Sequence, residues 1–381
     1  MDELRARSPS VLFAVRHDSE SFAGFVRVIP GELARVISNI LVNSMDAMAG
    51  RDRRGRIDCA VETSGQRIVL QIVDDGCGIP RVILPRVFQK DFSYGKHHGT
   101  GLGLHQVRAT VEAAGGSVAI DSIEVQGTTV SVSLPLVDPP KWFFQGLRVT
   151  GGTEICICDD ESVVHDIWAE KMSSVRDLIG EITVRNFREI ESFVAWMSQP
   201  ANASRPFLVM MDLDFPGESM DGIEVLTRFG IESRACLVTG SRRNRILLNR
   251  CIESSVALLP KSLLARMPVE RVPMPDSIDV VLLEDDPWTS ESWMSEARES
   301  GKSLWLPRDA SELWSGCGRL DRATPIYIDE NLGLVRGGAV VLDLMRCGFQ
   351  NVHLATGYRA EDMHARYPGV SVVGKDWPLN L

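Results

Sequence analysis

No run of apolar residues in this 381-residue chain approaches the length of a membrane span, so no membrane segment is expected. Nor is there a basic excess. Lys and Arg number 41 against 51 Asp and Glu, a formal net charge of −10. A phosphate backbone calls for a basic surface, so nucleic acid is not expected as a partner. The eight cysteines lack metal-ligand spacing. Cys156 and Cys158 alternate inside an apolar run and read as core residues, so reduced thiols and a cytoplasmic location are expected. The first residues carry no signal-peptide pattern, and no sensor or DNA-binding segment is recognisable. What the chain does have is 44% apolar residues over a length that suggests two or three domains.

Residues 74–105 hold the densest signal. Asp74-Asp75-Gly76-Cys77-Gly78 is followed, after a polar loop, by Gly99-Thr100-Gly101-Leu102-Gly103-Leu104-His105. Two glycine-rich turns, the second opening a helix, can bring bare backbone N–H groups close to phosphates. The carboxylate of Asp74 can accept a hydrogen bond from an exocyclic amine. Upstream, Asn39, Asn43 and Asp46 recur at i, i+4 and i+7, so they share one helix face. The amide oxygen of Asn43 suits Mg²⁺. Together these motifs indicate a nucleotide site.

The set resembles the GHKL ATP-binding fold of histidine kinases, gyrase and the mismatch-repair ATPases over residues 10–136. Asn39 to Asp46 resembles the N box, Asp74 to Gly78 the G1 box and Gly99 to Gly103 the G2 box; Phe88 and Phe92 stand where the F box belongs. The resemblance implies that ATP and Mg²⁺ bind here. Asn43 would hold the metal and Asp74 would read the adenine amine. Asn39, Asp46, Gly76 and Gly78 would belong to the same site, and a lid from Lys96 through Gly99, Thr100, Gly101 and Leu102 to Gly103 would cover the phosphates. GHKL enzymes that hydrolyse ATP carry a Glu four residues before the magnesium Asn. Here Asn39 stands there, and an amide cannot act as general base. The resemblance is therefore to the histidine kinase branch.

Proline-rich segments at Pro135–Pro140 and Pro268–Pro275 read as linkers. After each comes the same order of strands. Apolar runs end in acids at Cys158-Asp159-Asp160 and Leu283-Glu284-Asp285-Asp286, then in Asp212 and Asp329, then in Thr239 and Thr356, then in Lys261 and Lys375. The Asp-to-Thr spacing is 27 residues in both; the Thr-to-Lys spacing is 22 in the first and 19 in the second. Short apolar strands alternating with helical spacers predict doubly wound parallel sheets, in which strand-end residues converge. Three carboxylates can hold Mg²⁺, an Asp can attack a phosphoryl group, and Thr and Lys can neutralise its oxygens.

This order resembles response-regulator receiver domains. The expectation is a GHKL-type α/β sandwich ATP-binding domain at 1–138 and two doubly wound, flavodoxin-like receivers at 152–268 and 276–381, the second further from the pattern. Asp159, Asp160 and Asp212, and likewise Asp285, Asp286 and Asp329, are the expected metal sets. Asp212 with Thr239 and Lys261, and Asp329 with Thr356 and Lys375, are the expected phosphoryl-transfer groups. The shorter Thr-to-Lys spacing is expected to displace Lys375. Neither Lys is followed by Pro, and neither has an aromatic residue three positions before it; Leu258 and Val372 stand there.

The layout resembles that of hybrid histidine kinases, but no dimerising helical hairpin with a phosphorylated His is recognisable. His17 lies between strands, and His165, His353 and His364 read as helix or loop residues. The expected function is ATP-dependent phosphotransfer in a two-component phosphorelay. Its partners would be a hairpin supplied in trans or upstream, or a histidine phosphotransfer protein, and a downstream response regulator. The alternative is a non-enzymatic ATP-binding and receiver module that serves as phosphate sink or docking partner for a separate kinase.

Overall fold

The structure is a computed structural model, and it describes residues 11–18, 20–49, 54–92, 102–179, 182–240 and 245–378. The chain divides into two compact units at Pro139 and Pro140.

The first unit runs through β1 (Val11–His17), β2 (Phe25–Val26), α1 (Pro30–Asp46), β3 (Gly55–Ser64), β4 (Arg67–Asp74), α2 (Gly103–Ala113), β5 (Ser117–Ile123) and β6 (Gly127–Val137). The strands form one sheet in the order β1-β3-β4-β6-β2, with β5 also paired to β6. β1 lies parallel to β3; the other pairs are antiparallel. Alternation along β6 buries Thr128, Val130, Val132 and Leu134, as a strand covered on one face requires. Pro30 sits in the first turn of α1, where a missing N–H costs no ladder bond. Val36, Ile40 and Leu41 of α1 and Val107 and Val111 of α2 close over Ile57, Ile72, Val130 and Val132 as one core.

The second unit opens with β7 (Leu147–Val149), β8 (Glu154–Cys158), α3 (Ser162–Ile179), β9 (Thr183–Phe187), α4 (Ile190–Met197), α5 (Pro200–Ala203), β10 (Leu208–Asp212), α6 (Gly222–Phe229), β11 (Ala235–Thr239), α7 (Arg245–Glu253), β12 (Ala257–Pro260), α8 (Lys261–Leu264) and β13 (Val269–Arg271). It continues through β14 (Val280–Leu283), α9 (Pro287–Ser300), β15 (Leu304–Trp305), α10 (Ala310–Gly316), β16 (Ile326–Ile328), β17 (Asn331–Leu332), β18 (Val335–Arg336), α11 (Gly337–Arg346), β19 (Val352–Ala355), α12 (Ala360–Arg366) and β20 (Ser371–Val373). Two five-stranded sheets result, β12-β11-β10-β8-β9 and β15-β14-β16-β19-β20. Both are wholly parallel and both follow the order second, first, third, fourth, fifth. Every residue of β8 and β10 is buried, as expected for a parallel sheet covered on both faces.

Helix ends follow local chemistry. Asp221 and Glu224 form a capping box at the start of α6, and Gly230 ends it in the left-handed conformation. Asp286 caps α9, Pro287 occupies its first turn and Gly301 closes it.

Three features differ from the sequence reading. β6 runs through Pro135 to Val137, because Pro135 lies past Ser133, the last residue there that β5 pairs. The second proline-rich segment contains β13, whose three residues pair in parallel with β7. His353 lies in β19, its ring stacked on Tyr327 with centroids 4.9 Å apart. All eight cysteines are free. Among the described residues, no helix is long and apolar enough to cross a membrane.

Candidate functional site

In the first unit, β4 delivers Asp74 buried at its C-terminal end. Its Oδ2 accepts a hydrogen bond from Ser44 Oγ at 2.8 Å, and its Oδ1 accepts one from the Gly76 N–H at 2.9 Å. Burial raises the pKa of this carboxyl above the usual range. Ser44 escaped the sequence reading. Its signal is position, since it takes a place on the buried apolar face of α1 beside Ile40 and Leu41. Gly78 adopts φ +69°, and the Ile79 N–H donates to Ser122 Oγ at 2.8 Å, tying this turn to β5.

Asn39, Asn43 and Asp46 all lie on α1. A Cβ added to Gly103, the first residue of α2, would lie 4.0 Å from the side chains of Asn39 and Asn43. The N-terminus of α2 therefore abuts the Asn face, and exposed Leu102 precedes it. Free N–H groups at such a terminus attract phosphate. An amide oxygen beside them suits a divalent cation. Lys96, Gly99, Thr100 and Gly101 lie outside the described residues. Among the described residues nearest to them in sequence, the Arg108 guanidinium lies 5.1 Å from the Phe88 ring centroid and the Arg86 guanidinium 4.7 Å from that of Phe92. His105 Nδ1 lies 3.2 Å from the Phe88 carbonyl oxygen.

In the first parallel sheet, carboxylate oxygens of Asp159, Asp160 and Asp212 lie within 4.8 Å of one another at the strand ends. Lys261 Nζ lies 2.7 Å from Asp212 Oδ2, 3.0 Å from Asp159 Oδ2 and 2.7 Å from Glu161 Oε1. Thr239 is buried at the end of β11. Burial, with the neighbouring Asp159 charge, pushes Asp212 up to about 6. Burial likewise raises Asp159. Burial alone would lower Lys261, but its hydrogen bonds to Asp212, Glu161 and Asp159 outweigh this and keep it charged. Asp159 Oδ2 is buried, and the group that faces it is the Lys261 ammonium. With three converging carboxylates, that oxygen fits a hard divalent cation such as Mg²⁺. Glu161 was not singled out in the sequence.

The second sheet repeats the arrangement with one change. The cluster there is Glu284, Asp285 and Asp329, with oxygens again within 4.8 Å of one another. Asp286 does not join it. Its carboxylate accepts from the Thr289 N–H and Thr289 Oγ1 as the cap of α9, and those bonds lower its pKa. Lys375 is not displaced by the shorter spacing. Its Nζ lies 2.8 Å from Glu284 Oε2 and 3.0 Å from Asp329 Oδ1. Burial raises both Glu284 and Asp285, and the bonds to Glu284 and Asp329 raise Lys375 against its own burial. Thr356 is buried just past β19. The loops after the two central acids also correspond. A Cβ on Gly222 would lie 2.0 Å from the Asp212 carbonyl oxygen, and one on Gly337 would lie 1.9 Å from that of Asp329. Only glycine permits either approach.

Residues 29–138 match the family model described as "Histidine kinase-, DNA gyrase B-, and HSP90-like ATPase". The sensor histidine kinase CitA of Klebsiella pneumoniae is 30% identical over 120 residues, which make up 30% of this chain and 22% of that protein. A probable C4-dicarboxylate sensor kinase of Bacillus subtilis is 31% identical over 108 residues, 28% of this chain and 20% of that protein. A solved structure of a mycobacterial sensor histidine kinase, MprB, is 26% identical over 36% of this chain and 89% of its own, with a TM-score of 0.30. The chain spans about a fifth of the length of the curated relatives it matches. The α/β fold of the first unit is thus of the GHKL ATPase type.

Proposed function

We propose that this chain supplies the ATP-binding and phosphoryl-accepting parts of a two-component phosphorelay, and that it works in the cytoplasm. The first unit binds Mg-ATP, with Asn43 on the metal, Asp74 on the adenine amine and the N-terminus of α2 on the phosphates. ATP is spent on a histidine rather than on water, since Asn39 offers no base. That histidine sits on a helical hairpin, in trans or upstream, or on a histidine phosphotransfer protein, and a response regulator lies downstream. The two parallel-sheet lobes act as receivers. Asp212 attacks the phosphorus of the phosphohistidine, the P–N bond breaks, and the leaving imidazole takes up a proton. Lys261 and Thr239 neutralise the phosphoryl oxygens, and Asp159, Asp160 and Asp212 would hold a Mg²⁺ that supplies further positive charge. Asp329 does the same with Glu284, Asp285, Thr356 and Lys375.

The observation that carries this reading is the convergence of Asp159, Asp160, Asp212 and Lys261 at one end of a parallel sheet, in a chain whose residues 29–138 match the model shared by histidine kinase-, gyrase- and HSP90-like ATPases. The experiment is incubation of the chain with labelled ATP, Mg²⁺ and a separate histidine-bearing hairpin. Base-labile acyl-phosphate label should appear on the chain and fall sharply in Asp212→Asn. Nucleotide binding without any transfer would favour a docking module instead.

A further inference from the structure

The two parallel-sheet lobes each carry a tryptophan at the same place, six residues into the first helix: Trp168 in α3 and Trp293 in α9. Both are fully buried. Their indole N–H groups differ in fate. That of Trp168 finds no hydrogen-bond partner among the described residues. That of Trp293 donates to the backbone carbonyl of Lys375 at 2.7 Å. A buried N–H is ordinarily paired, so what distinguishes the second lobe is the acceptor its tryptophan finds, the backbone of the strand-end lysine.

The need follows from the strand ends. In the first lobe, Lys261 is the first residue of α8, so a helical turn sets its backbone. In the second, no helix follows β20 among the described residues, and the Thr-to-Lys connection is three residues shorter. Lys375 nonetheless reaches Glu284 and Asp329. Trp293 is itself held on two sides, edge-on to Tyr327 with centroids 5.1 Å apart and edge-on to Trp377 at 5.2 Å. Trp377 lies two residues beyond Lys375, so the carbonyl bond and the ring packing hold the backbone at the lysine and just past it. We infer that Trp293 is the positioning residue of Lys375, doing with one indole hydrogen bond and one ring contact what a helical turn does for Lys261.

The binding arm of the test rests on the phosphoryl-accepting reading of the Asp329 cluster; the stability arm does not. In the full chain carrying Asp212→Asn, only the second cluster can take beryllofluoride with Mg²⁺. Adding Trp293→Phe, which keeps a ring and loses the N–H, should weaken that binding about tenfold or more, the usual range for removing a group that orients a ligand. In the chain carrying Asp329→Asn, Trp168→Phe should leave beryllofluoride affinity at the first cluster unchanged. Equal affinity with and without Trp293→Phe would overturn the inference. If the Asp212→Asn chain binds no beryllofluoride at all, the phosphoryl reading of the second cluster fails, and thermal melting then decides the positioning role. The drop in midpoint caused by Trp293→Phe should shrink when Lys375 is already Met; the same drop in both backgrounds would mean that Trp293 only fills space.

Discussion

Arg234 Nη2 lies 2.9 Å from Asp343 Oδ1, with side chains 1% and 0% exposed, and this pair joins the two parallel-sheet lobes. Ser233 Oγ also donates to Asp343, and Arg234 donates to the Arg205 carbonyl while its guanidinium lies over Phe207 and Trp314. Breaking a buried pair from one side leaves a charge without a partner, which costs about 3–5 kcal/mol. Asp343→Ala should therefore destabilise the second unit by about that much in chemical denaturation. Arg234→Met combined with Asp343→Leu should cost clearly less. A double variant as unstable as the single one would contradict this account.

Asp74→Asn should weaken nucleotide binding by about 1.5–3 kcal/mol, the worth of a hydrogen bond to a charged group. Ser44→Ala should act in the same direction but more weakly, because the Gly76 N–H still holds Asp74. Isothermal titration with Mg-ATP measures both. An unchanged affinity in Asp74→Asn would remove this carboxylate from the site.

The first unit should bind Mg-ATP without rapid multiple turnover, because Asn39 stands where a water-activating base is needed. A coupled phosphate-release assay reads this directly. Fast steady-state hydrolysis would argue for a gyrase-type enzyme.

No autophosphorylation on histidine is expected from this chain alone. Transfer requires an acceptor held at near-attack distance, and His17 lies at the exposed end of β1 rather than on a helix. Acid-labile, base-stable label on the isolated chain would reverse this.

Asp212 sets a pH dependence of defined sign. Burial raises its pKa from 3.8 to about 6. A carboxyl raised in the folded state contributes stability that is fully present below the unfolded pKa and is lost as pH rises through 6. At pH 8, Asp212→Asn should thus stabilise the second unit by about 3 kcal/mol, and the gain should vanish near pH 4. Mg²⁺, which favours the ionised form, should raise the melting midpoint of the parent more than that of the variant. Melting curves at the two pH values, with and without Mg²⁺, check both statements.

Much of the second unit is legible in sequence because strands buried on both faces read as unbroken apolar runs, and polar residues at their ends stand out. Leu208–Asp212 and Ala235–Thr239 are examples. Glu284 was missed because three acids in a row leave the register open by one residue. Pro287 closes it: a proline in the first turn of α9 makes Asp286 the cap, so the inward pair must be Glu284 and Asp285. Nothing local could reveal the Trp293 bond, since its acceptor lies 82 residues away. β13 was hidden by its prolines, which flank a three-residue ladder instead of preventing it.

The pairing of β7 with β13 also has a mechanical meaning. The two strands bracket the first parallel sheet in the chain and run in the same direction, with Leu147 beside Val269 and Val149 beside Arg271. Tension between Gly146 and Val272 pulls on opposite ends of that ladder, so its bridges bear load together in shear instead of peeling apart one by one. The pair acts as a fastener that shields the sheet between its ends, and a single-molecule force trace should show this ladder parting before any strand of that sheet comes loose.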